Sequence, residues 1–150
     1  MQSPIVTHPN EILRKKSKPV KTERIFSSEF KKLVADMHEA IKIGNGVGLA
    51  AVQIGILERV ILVEIDGRPE VFINPALSKK SWKKIAIEEG CLSIPGVHGY
   101  VKRSYSATVK ALNEAGEKIT LKAQGVPAVI FQHEIDHLNG VLFIDKLIKK

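Results

Sequence analysis

The 150 residues, 44% hydrophobic and 26% charged, suffice for one domain with a buried core, and no low-complexity tract argues for disorder. No apolar run approaches the roughly 18–20 residues of a membrane span, the start Met1-Gln2-Ser3-Pro4 lacks a signal-peptide pattern, and the single cysteine, Cys91, excludes an internal disulfide, so a cytoplasmic protein is expected. The net charge of +7 favours anionic partners such as RNA or a ribosome surface through steering rather than base readout; Trp82 is the sole aromatic set among lysines, and sequence-specific nucleic-acid binding is not expected.

The first 26 residues, punctuated by Pro4, Pro9 and Pro19, read as extended or irregular. Ser27 or Ser28 then caps a helix whose apolar stripe is Phe30, Leu33, Val34, Met37 and Ile41 and which ends near Gly44. The glycine-rich run Gly44 to Gln53 predicts no regular element and lets the backbone approach something closely; a phosphate-cradling loop is a poor match, because no Gly-Lys-Ser/Thr follows. Val60 to Ile65 reads as a strand, turned by Asp66-Gly67 into Val71-Phe72-Ile73 and broken by Asn74-Pro75. A further strand at 85–88 enters a segment from Glu89 to Gly96. Alternation marks Tyr105 to Leu112, a turn with Gly116 follows, and Ile119 to Ala123 is the partner strand. Gly125 closes the β region. Pro127 suits the first turn of a helix carrying Val129, Ile130, Phe131, Ile135 and Leu138, and Gly140 suits its C-terminal cap. Val141 to Ile148 reads as a short strand and turn. Helix, strands with hairpin connections, then helix predict an α+β fold, with antiparallel sheets packed around a central helix over one domain, 1–150.

That last helix carries His133-Glu134-Ile135-Asp136-His137, an H-E-x-x-H pattern. Residues four apart share a helix face, so both imidazoles can grip one metal ion, while Glu134 beside them can take a proton from a metal-bound water. A pair of histidines on an otherwise apolar, buried helix needs partners, and a metal supplies one to each. A third ligand must come from elsewhere. Zinc proteases of the long metzincin form would need His at 143, which is Phe143, and no Glu follows Glu134. The sole thiol, Cys91, between Gly90 and Leu92, is the leading candidate, although an isolated cysteine is more often a small buried hydrophobe. Two imidazoles and a thiolate leave an open position for water, and such a set accepts several divalent metals.

Three motifs stand in order along the chain: Gly46-Val47-Gly48-Leu49-Ala50-Ala51-Val52-Gln53, Glu89-Gly90-Cys91-Leu92-Ser93, and Gln132-His133-Glu134-Ile135-Asp136-His137. In this the chain resembles the peptide deformylases, from the His8-Pro9 region through Asp145. The resemblance implies hydrolysis of the formyl group from the N-terminal methionine of nascent polypeptides. It implies Cys91, His133 and His137 as metal ligands, Fe2+ as the native ion with Zn2+ or Ni2+ tolerated, and Glu134 as the proton carrier. It also implies the Gln53 side chain and the Leu92 N–H as oxyanion donors. Val47, Ile87, Val126, Val129 and Ile130 would surround the methionine side chain, and Gly46 and Gly48 would let an extended substrate lie along the loop. Arg103 would pair with Glu89 or Asp136 behind the metal. The chain departs from many bacterial members at His98, where they carry an arginine that contacts the substrate. Those members also extend into a further helix that helps docking at the ribosome; here Lys146, Lys149 and Lys150 form a basic stub. Two rival readings are a metallopeptidase acting on internal bonds and a non-catalytic module that binds ribosome or RNA.

Overall fold

A computed structural model describes residues 5–148. The N-terminal segment, expected to be irregular, contains a 3-10 turn at Glu11–Arg14 and a one-turn helix α1 (Thr22–Ile25). Helix α2 (Ser28–Gly44) starts where the sequence places it: the Ser27 hydroxyl accepts from the Phe30 N–H at 3.2 Å. It stops at Asn45, which turns left-handed (φ 53°) and lets the Gly46 N–H close on the Ile41 carbonyl at 3.0 Å.

The glycine run does hold regular structure. Gly48–Ala50 form strand β1, and Ala51–Ile54 form a 3-10 turn that carries Gln53. Pairing with strand β2 (Val60–Ile65) supplies what the local sequence lacks, with Gly48 opposite Val63 and Ala50 opposite Ile61. Asp66 and Gly67 (φ 51° and 81°) make the expected two-residue hairpin into β3 (Arg68–Ser78). Asn74-Pro75 does not end that strand. Asn74 is left-handed, the register shifts between Ile73 and Ala76, and β3 continues to Ser78, because a bulge absorbs the proline's missing donor. The Asn74 amide meanwhile exchanges two 2.8 Å hydrogen bonds with the Val20 backbone, tying the N-terminal segment to the sheet.

Strands β4 (Lys84–Cys91) and β5 (Ile94–Ser104) form a separate two-stranded sheet. The sequence reading had only residues 85–88 of this hairpin. Pro95, Gly96 and Gly99 mask β5, which long-range pairing creates despite poor strand residues. Strands β6 (Ser106–Leu112) and β7 (Lys118–Gln124) complete a five-stranded antiparallel sheet of order β1-β2-β3-β6-β7. Helix α3 (Val126–Leu138) has Pro127 in its first turn and Asn139 as its C-cap, with Gly140 left-handed (φ 75°) just beyond. Residues after it form a 3-10 turn, Phe143–Lys146, and one bridge between Leu147 and Val101.

The continuous apolar run Val60-Ile61-Leu62-Val63 is explained by what lies on each face of β2. Ile61 and Val63 point to a core built with Phe131, Ile135 and Leu138 of α3; Val60 and Leu62 point to one built with Phe30, Leu33 and Met37 of α2. Phe72 meets Phe131 edge to face, centroids 4.8 Å apart. The result is the α+β architecture read from the sequence, with α3 lodged between the two sheets.

Candidate active site and metal centre

On α3, His133 and His137 lie one turn apart with ring centroids 5.0 Å from each other. Cys91, the last residue of β4, reaches them from the other sheet, its Sγ 3.3 Å from His137 Nε2. One donor atom from each of the three residues lies within 4.8 Å of the others, close enough to hold one ion. A tetrahedral centre with metal–nitrogen bonds of about 2.0 Å and a metal–sulfur bond of about 2.3 Å sets its ligand atoms roughly 3.3–3.5 Å apart, so the donor set fits a divalent metal without rearrangement of the fold.

Behind these residues stands a ladder of charge. The His133 Nδ1–H donates to Glu89 Oε1 at 2.8 Å, which fixes the tautomer that leaves Nε2 free. Arg103 grips Glu89 with two bonds, 2.6 and 3.1 Å, and bonds Asp136 at 2.9 Å. Lys146 closes the ladder on Asp136 at 3.0 Å. Burial raises the Glu89 carboxyl, but the bonds from His133 and Arg103 outweigh it and hold Glu89 below the usual carboxylate range. Gln132, between Ala128 and the site, staples α3 to β5 through the Ser104 N–H and carbonyl at 3.1 and 2.8 Å. The fold therefore fixes the metal helix from both ends of its buried face.

Glu134 is 4% exposed. Burial lifts its carboxyl to about 7; positive charge at His133 and Arg103 opposes the rise, and Glu89 adds to it. Its Oε1 is buried without a hydrogen-bond partner, a polar atom left for a reactant. His137 is held well below the ordinary imidazole range by burial and by the charges of His133 and Arg103, so it stays neutral, the form in which it could bind a metal. At His133 burial acts downward, but Glu134, Cys91 and Glu89 prevail and raise it to about 10. The same anionic surroundings that would hold a proton there favour a metal cation.

A cavity of about 450 Å³ opens over these groups. Its walls include Gly46, Val47, Gly48, Gln53, Ile87, Glu89, Cys91, Leu92, His98, Val126, Val129, Ile130, His133 and Glu134. His137, Arg103 and Asp136 lie behind it. Gln53 is oriented from both ends: its Oε1 accepts from the Ala50 N–H at 2.9 Å, and its Nε2 donates to Ser93 Oγ at 3.1 Å and reaches Cys91 Sγ at 3.5 Å. Leu92 sits in the turn joining β4 to β5, its side chain against Gly44 and Gly46. His98 is exposed on the rim and lies across Gly90, where a Cβ would meet its ring at 2.8 Å.

Two features escaped the sequence reading. Ser93 lies inside the Glu89–Ser93 motif but was given no role; it is fully buried and positions the Gln53 amide. Gly48 was read as room for a substrate backbone. It also makes room for Glu134, since a Cβ there would stand 2.6 Å from Glu134 Oε2 and 2.9 Å from Ile130 Cγ2. Nothing in the local sequence signals that contact, which joins β1 to α3.

Known proteins share this arrangement. The family model described as polypeptide deformylase matches residues 2–150. Among curated relatives, the peptide deformylase of Acetivibrio thermocellus is 49% identical over 141 residues, 93% of this chain and 80% of that protein. That of Neisseria gonorrhoeae is 44% identical over 148 residues, covering 95% and 85%. Among solved structures, the peptide deformylase of Thermotoga maritima superposes with a TM-score of 0.94 at 37% identity, covering 99% of each chain. An actinonin-bound class I type b peptide deformylase from Acinetobacter baumannii gives the same TM-score, identity and coverage. The chain belongs to the peptide deformylase family, the enzymes that remove formyl groups from nascent peptides.

Proposed function

We propose that this chain works as one catalytic domain in which Cys91, His133 and His137 hold a divalent metal, natively Fe2+, and Glu134, Gln53 and Leu92 carry the hydrolysis of formyl-methionyl peptides. The observation that carries this reading is the convergence of the three donor atoms within 4.8 Å beside the buried, unpartnered Glu134 carboxylate, at the floor of an apolar-walled cavity. When bound, the ion supplies Lewis acidity that activates water and polarises the formyl carbonyl.

The residues then divide the work. Glu134 accepts the proton of the attacking water and returns a proton to the departing amine nitrogen as the formyl C–N bond breaks, leaving formate and a free amine. The Gln53 Nε2–H now aimed at Cys91 Sγ turns to the developing oxyanion, together with the Leu92 N–H. Val126, Val129 and Ile130 from α3, with Ile87 and Val47, bury the methionine side chain. β1 has one partner strand and stands at the edge of its sheet, so the substrate backbone can add alongside Gly46 to Gly48 as a further strand. His98 on the rim touches the peptide beyond the methionine.

Fe2+ as the native ion follows the family likeness, since the same donors accept Zn2+ or Ni2+. Among the described residues no helix is long and apolar enough to cross a membrane, in keeping with work in the cytoplasm near the ribosome. Of the basic stub, Lys149 and Lys150 lie outside the described residues, and Lys146 is paired with Asp136. All three ligand residues and Glu134 are in place, so neither a non-catalytic module nor a peptidase for internal bonds finds a feature to favour it. The test is metal analysis of protein purified without air, together with formate release from formyl-Met-Ala. An iron-loaded protein that releases formate is expected; cleavage of blocked longer peptides in place of formate release would overturn the reading.

A further inference from the structure

The catalytic cavity uses none of the outer face of the five-stranded sheet. Along β6 and β7 one face is buried, with Ala107, Val109, Ala111 and Ala123 in the core. The opposite face alternates with it and carries Ser106, the buried Thr108 and the exposed Lys110 beside their cross-strand partners Gln124, Lys122 and Thr120. β3 adds Ser78 opposite Thr108 and Ala76 opposite Lys110. The core on the α2 side extends from β1 and β2 to Ile73 of β3 and Leu112 at the end of β6. None of these outward positions on β3, β6 and β7 is acidic.

At the end of β3 the chain passes through Lys79-Lys80-Ser81-Trp82-Lys83 before entering β4 at Lys84. Trp82 is 99% exposed, which is unusual for the largest apolar side chain in the protein. The loop that presents it is firmly held. The Ser81 N–H donates to the Ser106 carbonyl at 2.9 Å, the Ser106 N–H to Ser81 Oγ at 3.0 Å, and the Tyr105 N–H to the Lys83 carbonyl at 2.9 Å. At its foot lies a cavity of about 420 Å³ between Lys79, Lys122, Ser106, Thr108 and Gln124.

We infer that this face is a docking surface for single-stranded RNA, with Trp82 stacked on a base and Lys79, Lys110 and Lys122 on the phosphates. Exposed aromatic rings beside tracks of lysine bind single strands without reading their sequence, and the hydroxyl and amide groups in the cavity suit a ribose 2′-hydroxyl. An anionic membrane is the poorer match, because one exposed indole buries little in a bilayer. β4 runs from this loop to Cys91, roughly 24 Å at about 3.4 Å per residue, so RNA here leaves the catalytic cavity open.

Trp82 is the sole tryptophan, so its emission reports on this surface alone. The full chain is titrated with a mixed-sequence 12-mer oligoribonucleotide, unlabelled for Trp82 emission and end-labelled for anisotropy, over a range of salt. Quenching and anisotropy should saturate together, with a log–log salt slope of about −2 for three phosphates. Trp82→Ala should weaken binding about tenfold, and Lys110→Gln with Lys122→Gln should flatten the slope by roughly 1.4. Both variants should release formate at the parent rate. Four results would overturn the inference: anisotropy rising with Trp82 emission unchanged; equal weakening by Lys15→Gln with Lys16→Gln, far from this face; equal binding of the deoxy oligonucleotide; or a shift of Trp82 emission by phosphatidylglycerol vesicles and not by RNA.

Discussion

Gly48→Ala isolates the contact between β1 and the base. Gly48 is not left-handed, so alanine costs nothing in backbone strain, and the effect is steric. The new methyl would stand 2.6 Å from Glu134 Oε2 and 2.9 Å from Ile130 Cγ2. Ordinary contact lies nearer 3.4 Å, so the carboxylate must retreat by roughly 0.8 Å. It cannot retreat freely, because Glu134 is buried and Ile130 is crowded by the same methyl. A misplacement of about 1 Å in a reacting group costs on the order of a hundredfold, so kcat should fall roughly 30- to 100-fold. Overpacking should cost about 1–3 kcal/mol of stability, which leaves the protein folded. The atoms nearest the methyl belong to Glu134 and Ile130, not to Cys91, His133 or His137, so metal content should stay that of the parent. The assay is formate release from formyl-Met-Ala with metal content measured on the same sample. A folded variant within twofold of the parent kcat, or one that loses metal, would refute the claim that Gly48 acts by leaving room for Glu134.

Three further outcomes follow from the site. Cys91→Ser should lower metal affinity or change metal preference, read by equilibrium dialysis; unchanged content and rate would remove Cys91 from the ligands. Arg103→Leu takes the buried cation from Glu89, while Asp136 keeps Lys146, so the melting temperature should fall by an amount equivalent to about 3–5 kcal/mol, and metal affinity should drop about 10- to 100-fold; an unchanged affinity would detach the charge ladder from the metal. Glu134 gives a pH dependence of known sign. Its folded carboxyl titrates near 7, above its unfolded value, so the metal-free native state binds the extra proton between about 4.5 and 7 and loses stability as pH rises through that window. Metal-free Glu134→Gln should therefore gain in melting temperature over the parent as pH goes from about 4.5 to 7. A constant gap would refute the burial of an ionisable carboxyl. A bound dication lowers that titration, so the acid limb of kcat/KM should lie below 7 and activity should fall as pH drops through it.

Which parts were legible in the sequence follows from where each signal is stored. H-E-x-x-H is a helix-face pattern, complete within five residues, and the lack of a later His or Glu pointed back to Cys91. The stripe from Phe30 to Ile41 and the Asp66-Gly67 turn are equally local. The misreadings occur where pairing with distant residues overrides local preference. β1 forms from glycines because β2 supplies its hydrogen bonds. β3 outlasts Asn74-Pro75 through a bulge. β5 passes Pro95 and Gly96 in an irregular stretch opposite Gly90, and β4 pairs with it from Gly99 to Ser104. Ser93 and Gly48 share that origin, since each acts on a residue from another element.

Charge ties the site's parts into one argument. Glu89, Asp136, Glu134 and a Cys91 thiolate bring four negative charges to one end of α3, and Arg103 and Lys146 return two positive ones. A divalent cation on Cys91, His133 and His137 would restore neutrality. Without the ion, protons would have to serve, and the groups placed to take them are His133, raised to about 10, and Glu134, raised to about 7. On the proposed ligand set, metal binding would displace protons from these residues. Glu134, relieved of its proton, would then be able to serve as the base. Metal uptake at neutral pH should therefore release protons in proportion to the ion bound. Calorimetry in buffers of different ionisation enthalpy would count them, and metal uptake with no proton release would break the link between ligand set and base.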